Sequence, residues 1–314
     1  MAISITAEVE PARPQESIKA AAKRKTGAVR IGISGWRYRG WRGVFYPKTL
    51  AQHRELSYAS GIFPSIEING TFYRLQKPEF FRTWADQTPA DFVFALKGSR
   101  YITHMLKLKE PEPALARYFA SGPLELGPKL GPILWQFPEN FRFNPERIEG
   151  FFKLLPRDTV EVAELARKAK GRGRKKLVAL AKRPVRHAME IRSESFRNPE
   201  FIELLRAYNV ALVCADTVEW PLLMDVTADF VYCRLHGSEV LYASGYDEAA
   251  LQTWGARVAC WAQGEEPADA VRVVDRPAPK RRRRDVYVYF DNDAKVRAPF
   301  DAQRLEAIVD ARLG

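Results

Sequence analysis

The sequence holds little of what disulfide frameworks, metal clusters and membrane spans are made from. Its three cysteines are an odd number without metal-type spacing, which excludes a cystine-stapled scaffold and fits a reducing compartment. Cys214 and Cys233 fall inside apolar runs and are expected to serve packing, while Cys260 falls on an expected helix. No run approaches the roughly 18 apolar residues that a membrane-crossing helix needs. The N-terminus also lacks an apolar secretory core, so a soluble cytoplasmic protein without a membrane partner is expected. No glycine-rich phosphate loop follows the first apolar run, which argues against an open doubly wound nucleotide-binding sheet.

Charge of one sign is plentiful overall but confined to two places. The formal net charge is +12. Eleven Lys or Arg face three Asp or Glu between Arg157 and Arg186, and seven face two between Arg272 and Asp285. Those stretches, with KAKGRGRKK and PKRRRR in them, carry +13 and leave the rest of the chain near −1. They read as basic insertions at 157–186 and 272–285, either solvated loops or contacts for RNA, DNA or another polyanion. The run Arg281 to Arg284 is poorly suited to burial and is expected at the surface. Residues 1–28, rich in Ala, Lys, Glu and Pro, have no sustained apolar face and read as a flexible N-terminal tail.

Eight short apolar runs mark the remainder: Val29 to Ser34, Ser65 to Ile68, Phe92 to Leu96, Pro132 to Trp135, Ala188 to Ile191, Val210 to Cys214, Phe230 to Leu235 and Val286 to Phe290. Helical patterns separate most of them. Pro78 opens one whose Phe80, Phe81 and Trp84 have helical spacing, and Asn144-Pro145 and Asn198-Pro199 each read as an N-cap followed by a first-turn proline. Asp247 is placed to cap a helix holding Leu251, Trp254 and Val258, a helix through Leu50 to Ser60 follows Pro47, and a last one spans about Ala302 to Leu313. TVEWPLLMDVT allows only a short helical turn. The alternation predicts an α/β fold, a single-domain TIM-type (β/α)8 barrel over 29–314.

In such a barrel every strand's carboxyl end faces one mouth, and here nearly every run ends in a polar or charged residue. Glu67 and Asn69 share a face in SIEINGTFY, and Glu190 and Arg192 repeat that spacing in AMEIRSESF. Glu190 can orient a substrate hydroxyl or receive its proton, so Glu190→Gln is expected to remove binding or turnover and keep the fold. Lys97 ends FVFAL, where a lysine can be a base, a Schiff-base former or a cation for phosphate. Thr103 and His104 follow in a loop. Arg234 and His236 in VYCRLHGS precede Gly237 and Ser238, whose amides suit a phosphate or oxyanion. Asp216, Asn292 and Asp293 are expected on neighbouring rims, and Gln136 ends the fourth run. Glu67, Glu190, Asp216 and His236 have the donor types for a divalent metal, but Lys97, Arg192 and Arg234 oppose it, so a metal is not the favoured reading. The residues name no other cofactor.

GISGWRYRGWRGVFYP, EINGTFYR, FALKGSRYITH, LGPILWQFP, MEIRSESF, YCRLHGS and YFDND, in that order, closely resemble the YecE-like family, known as domain of unknown function 72. The resemblance covers about 29 to 313 and implies a TIM-type barrel whose mouth is lined by Trp36, Glu67, Asn69, Tyr73, Lys97, His104, Gln136, Glu190, Arg192, Asp216, Arg234, His236, Tyr246 and Asn292. The family's closing motif carries Asn where this chain has Asp291. A loose grouping with sugar isomerases is fold-level analogy.

Three functions follow from these readings. The first is an enzyme on a small polar or anionic ligand, a sugar or sugar phosphate, with isomerase- or epimerase-like acid–base work shared by Glu67, Lys97, Glu190 and His236. Here Trp36, Asn69, Tyr73, His104, Gln136, Arg192, Asp216, Arg234, Tyr246 and Asn292 would bind substrate. The second is a nucleic-acid binder or processing enzyme using the basic insertions, with Trp36, Tyr38 and Trp41 stacking on a base. The third is a barrel that binds a metabolite without chemistry.

Overall fold

A computed structural model of the chain describes residues 26–169, 181–237 and 241–314. Most of the expected tail, the centre of the first basic insertion and Ser238 lie outside the described residues. The strands are β1 (Val29–Ser34), β2 (Ser65–Ile68), β3 (Val93–Lys97), β4 (Leu130–Gln136), β5 (His187–Glu190), β6 (Val210–Asp216), β7 (Phe230–Leu235) and β8 (Asp285–Phe290). Each pairs in parallel with the next and β8 pairs with β1, closing the barrel. No helix among the described residues is long and apolar enough to cross a membrane.

Closure explains why the strands read as continuous apolar runs, because both faces are buried. One face meets the helices with Ile31, Ile33, Phe94, Leu96, Trp135, Met189, Leu212, Cys214, Cys233, Leu235 and Phe290. The other fills the barrel. Tyr232, Tyr287 and Tyr289 pack there against Ala95, Ala188, Ala211, Val213 and Ala215, large side chains from β7 and β8 meeting small ones from β3, β5 and β6. Buried hydroxyls need partners. Tyr232 donates to Glu67 Oε2 at 2.6 Å, and Tyr289 shares a 2.6 Å hydrogen bond with Ser65 Oγ. Cys214 and Cys233 are register partners on the helix-facing side.

The helices are α1 (Glu55–Ile62), α2 (Gly70–Tyr73), α3 (Pro78–Asp86), α4 (Glu112–Ala120), α5 (Pro145–Leu154), α6 (Thr159–Arg167), α7 (Pro199–Ala207), α8 (Glu248–Ala262) and α9 (Ala298–Leu313). Asn144, Asn198 and Asp247 cap α5, α7 and α8 through hydrogen bonds from Arg147 N, Glu200 N and Ala250 N. The connection from β6 to β7 carries no helix.

The structure corrects several boundaries. The Leu50 to Ser60 segment starts as a 3-10 turn, Gln52–Arg54, before α1, and α9 begins at Ala298 rather than Ala302. The first basic insertion is not wholly a loop, since α6 lies inside it and buries Val162, Ala163, Leu165 and Ala166. In the second, Arg284 is 2% exposed, not at the surface. Its guanidinium donates to Gly264 O and, at 2.6 Å, to Pro279 O, and acceptors of this kind make a buried arginine tolerable. Gly27 and Ala28, assigned to the tail, are docked: Gly27 N donates to Ala262 O at 2.8 Å and Ala28 N to Asp285 Oδ1 at 2.9 Å.

Candidate functional site

The carboxyl end of the barrel is organised around one guanidinium. Arg234 is fully buried, and Nη1 donates to Glu190 Oε2 at 2.7 Å. Its Nη2 reaches Asp291 Oδ2 at 2.7 Å, Glu67 Oε1 at 3.0 Å and Ser34 Oγ at 3.2 Å. Three carboxylates on β2, β5 and the end of β8 thus converge on a cation from β7. A charge this deep persists only when paired in this way.

The carboxylates are correspondingly saturated. Glu67 accepts from Ser34 Oγ and Arg234 on one oxygen and from Tyr232 on the other. Glu190 Oε1 accepts from Nε and Nη2 of Arg192, each at 3.2 Å. Burial works to raise the Glu190 pKa, but Arg234, then Arg192, His236 and Lys97, pull it down to about 2. Asp291 is likewise held well below the usual carboxylate range, with Arg234 and His236 overcoming burial. These are fixed anions, and so weak bases.

Above them lie groups with fewer partners. Lys97 ends β3, and its carbonyl accepts from Thr71 Oγ1 at 2.7 Å and Tyr118 OH at 3.3 Å, which fixes its backbone. Its Nζ lies 4.7 Å from the centroid of the Phe72 ring and, among the described residues, makes no hydrogen bond or ion pair. Burial, then Arg234, lowers its pKa, and Glu67, Asp291 and Glu190 offset this only in part. Gln136 ends β4, register-paired with Glu190, and its buried Oε1 has no hydrogen-bond partner among the described residues. His236 Nδ1 stands 3.2 Å from Asp291 Oδ2, and its Nε2 lies 3.4 Å from Arg234 Nη1.

The rim is cationic and aromatic. The Arg192 guanidinium stacks 3.9 Å from the Trp220 centroid and donates to Tyr242 OH at 3.2 Å. His104 is bound through Nδ1 to Thr103 Oγ1 at 2.8 Å and meets Phe72 edge-on. Its pKa falls to about 4 because of burial and, next, the positive charges of Arg192, Lys97 and Arg100, so the ring is neutral at pH 7. Asn69 Nδ2 donates to Ser34 Oγ at 3.1 Å, and Tyr73 is 66% exposed beside Arg100.

Not every expected residue joins this group. Asp216 Oδ2 accepts from Trp254 Nε1 of α8 at 2.9 Å. Asn292 Nδ2 donates to Ser244 O and to Asp301 Oδ2 of α9, and Tyr246 OH accepts from Gly237 N. These three sit between barrel and helices rather than facing the mouth. Alternation is the reason: Asp216 follows the inward Ala215, and Asn292 follows the inward Asp291. Trp36 is buried edge-on to Trp84 of α3, and Trp41 is 1% exposed beneath Tyr38, so neither offers an open face to a base. Among the described residues no group of three or more His, Cys, Asp or Glu is placed to hold a metal.

Sequence reasoning left Ser34 and Tyr232, partners of Arg234 and Glu67, out of the site, and put Asp291 at a strand end facing the mouth without giving it a role. Asp291 was legible, being in phase with Tyr287 and Tyr289. It also missed Phe72, on the four-residue helix α2, and Trp220 and Tyr242, from irregular connections, all too short or irregular to show periodicity. Asp293 was placed on the rim, but not its titration: burial and then neighbouring Asp291 raise it to about 6.

A closed parallel eight-stranded barrel with its polar constellation at the carboxyl-end mouth defines a TIM-type barrel protein. Residues 30–313 match the family described as protein of unknown function DUF72, and the chain belongs to that family. It is 28% identical over 123 residues to the UPF0759 protein YunF of Bacillus subtilis, 38% of this chain and 43% of that protein. It is 29% identical over 191 residues to the UPF0759 protein YecE of Escherichia coli K12, 54% of this chain and 65% of that one. The matches therefore span less than two thirds of either relative. A DUF72 family protein of Thermotoga maritima superposes with a TM-score of 0.66 at 24% identity, covering 90% of this chain and 99% of that one. One from Enterococcus faecalis gives 0.64 at 17%, covering 90% and 95%. At these identities the likeness concerns the fold.

Proposed function

We propose that this barrel is an enzyme acting on a small polar, carbonyl-bearing substrate, a sugar or sugar phosphate, held at the carboxyl-end mouth. The observation that carries this reading is that Gln136 Oε1 is buried there without a hydrogen-bond partner among the described residues, beside Lys97, whose amine makes no hydrogen bond among them. Buried polar groups are ordinarily satisfied, and a substrate rich in hydroxyls and carbonyls would satisfy these. Arg192 and Arg100 beside the neutral His104 favour a substrate with an anionic group.

Glu67 and Glu190 leave the acid–base role in this reading, because their oxygens are committed to Arg234, Arg192 and Tyr232. They hold the floor of the site. Lys97, whose amine is shifted toward its uncharged form, becomes the reactive group. The decisive measurement is mass spectrometry of small molecules released when the purified protein is denatured, with melting of the wild type and of Gln136→Leu in their presence. A released sugar or sugar phosphate that raises the wild-type melting temperature and not that of Gln136→Leu is expected. Stabilisation only by compounds of another class would overturn the reading.

A further inference from the structure

The Lys97 amine is unlike its neighbours in what surrounds it. A buried ammonium ordinarily has carboxylate or carbonyl acceptors. Lys129, half-buried on the far side of β4, has three: Ala85 O at 2.5 Å, Thr88 O at 2.8 Å and Thr88 Oγ1 at 3.1 Å. Those acceptors hold its protons and occupy the positions an attacking lone pair would need. Lys97 has instead the face of Phe72 on one side and the guanidinium of Arg234 among its electrostatic neighbours, while Glu67 and Glu190 spend both oxygens on Arg234, Arg192, Ser34 and Tyr232, and Asp291 Oδ2 is taken by Arg234. The site therefore places a nucleophilic atom at the mouth with no hydrogen-bond acceptor on it among the described residues. Its backbone is fixed because Thr71 and Tyr118 hold the Lys97 carbonyl. Gly98 adds to this: a Cβ there would meet Trp135 Cε3 at 2.2 Å, so the chain can leave β3 along this path only with glycine.

We propose that Lys97 is a covalent nucleophile that condenses with the aldehyde or ketone carbonyl of the substrate to form an imine; this deepens the proposed function and rests on it. The Nζ lone pair forms the N–C bond as the carbonyl π pair moves to oxygen, giving a carbinolamine once a proton has passed from nitrogen to that oxygen. The C–O bond then breaks. Oxygen leaves as water, taking up one more proton as nitrogen gives one up, so amine and carbonyl become imine and water with no oxidant or reductant. The protonated imine withdraws electrons from the adjacent carbon and acidifies its C–H bond. That is the step that isomerisation or epimerisation of a hydroxy-aldehyde or hydroxy-ketone requires.

The test uses the full chain with dihydroxyacetone phosphate and with glycolaldehyde, one ketone and one aldehyde. Samples are reduced with borohydride, digested and mapped by mass spectrometry, and binding of each probe without reductant is measured by calorimetry. Burial lowers both amines, but three acceptors hold the protons of Lys129 and none holds those of Lys97, so an adduct at Lys97 with none above background at Lys129 is expected. Lys97→Arg should abolish it while preserving the fold, with Lys97→Met as the second variant should arginine perturb melting. Binding of a probe without an adduct at Lys97, or adducts spread evenly over the lysines, overturns the imine and leaves the small-substrate reading standing. If neither probe binds and no adduct forms, both are overturned for carbonyl compounds of this size.

Discussion

At the residue scale the site is governed by a conflict between burial and charge, and Glu190 is where it is resolved. Its sequence environment, apolar Ala188, Met189 and Ile191 with Arg192 on the same face, points equally to a shielded base and to half of an ion pair. What decides between them is Arg234, 44 residues away and invisible in any local pattern, whose Nη1 takes the second carboxylate oxygen. Glu190→Gln therefore acts on stability, contrary to the expectation that it would spare the fold. It leaves Arg234 with Asp291 and Glu67 alone and Arg192 without its anion, at a cost of roughly 2 to 4 kcal/mol at pH 7. The pH dependence has a definite sign. The folded-state pKa of Glu190 is depressed from an ordinary 4.5 to about 2, so its contribution is complete above 4.5 and is lost as pH falls toward 2. The stability gap between wild type and Glu190→Gln should be constant from pH 7 to 5 and narrow below 4.5, as read by urea unfolding. A gap that stays the same down to pH 2.5 would remove the charge from the account.

At the scale of elements, strands and capped helices were legible because each is specified by neighbours in sequence. Eight apolar runs of about the right length became eight strands, and Asn144, Asn198 and Asp247 cap as their positions imply. Alternation also ordered the inner faces of β2, β5 and β7, placing Glu67, Glu190 and Arg234 on the inside. It was not applied at the ends of β6 and β8, where Asp216 and Asn292 are out of phase with the interior. Helix α6 was missed because the positive charge around it masked its apolar spacing and its cap. Asp158 Oδ1 accepts from Val160 N at 2.8 Å and Glu161 N at 3.0 Å, and Oδ2 pairs with Lys182 at 3.1 Å. Lys182 is largely exposed, so that pair adds little, and the cap dominates. Asp158→Ala should cost about 1 kcal/mol in chemical denaturation, while Lys182→Ala should be near neutral. Equal losses from the two changes would contradict this division.

At the scale of the whole molecule, closure of β8 onto β1 brings distant residues to one mouth, and the location of charge bears on the nucleic-acid alternative for function. With Trp36 and Trp41 buried, nucleic-acid binding rests on the basic insertions, and the arginine run beside β8 is the part of them open to a clean test. The run is not uniform. Arg281, Arg282 and Arg283 are exposed, whereas Arg284 turns inward to the carbonyls of Gly264, at the end of α8, and Pro279. Replacing all four by serine would mix a change of surface charge with removal of a buried strut. Arg284→Ser alone strands two carbonyls and should destabilise the barrel by about 2 kcal/mol, visible as a lower melting temperature. Serine at 281 and 282 should leave melting unchanged and alter only polyanion binding. If these arginines meet phosphates, retention of RNA or DNA falls, and the slope of log affinity against log salt becomes shallower by about 0.9 for each phosphate no longer neutralised. Retention and slope equal to wild type at two salt concentrations would take this run out of any nucleic-acid role, and a melting temperature unchanged by Arg284→Ser would show that the inward guanidinium supports nothing.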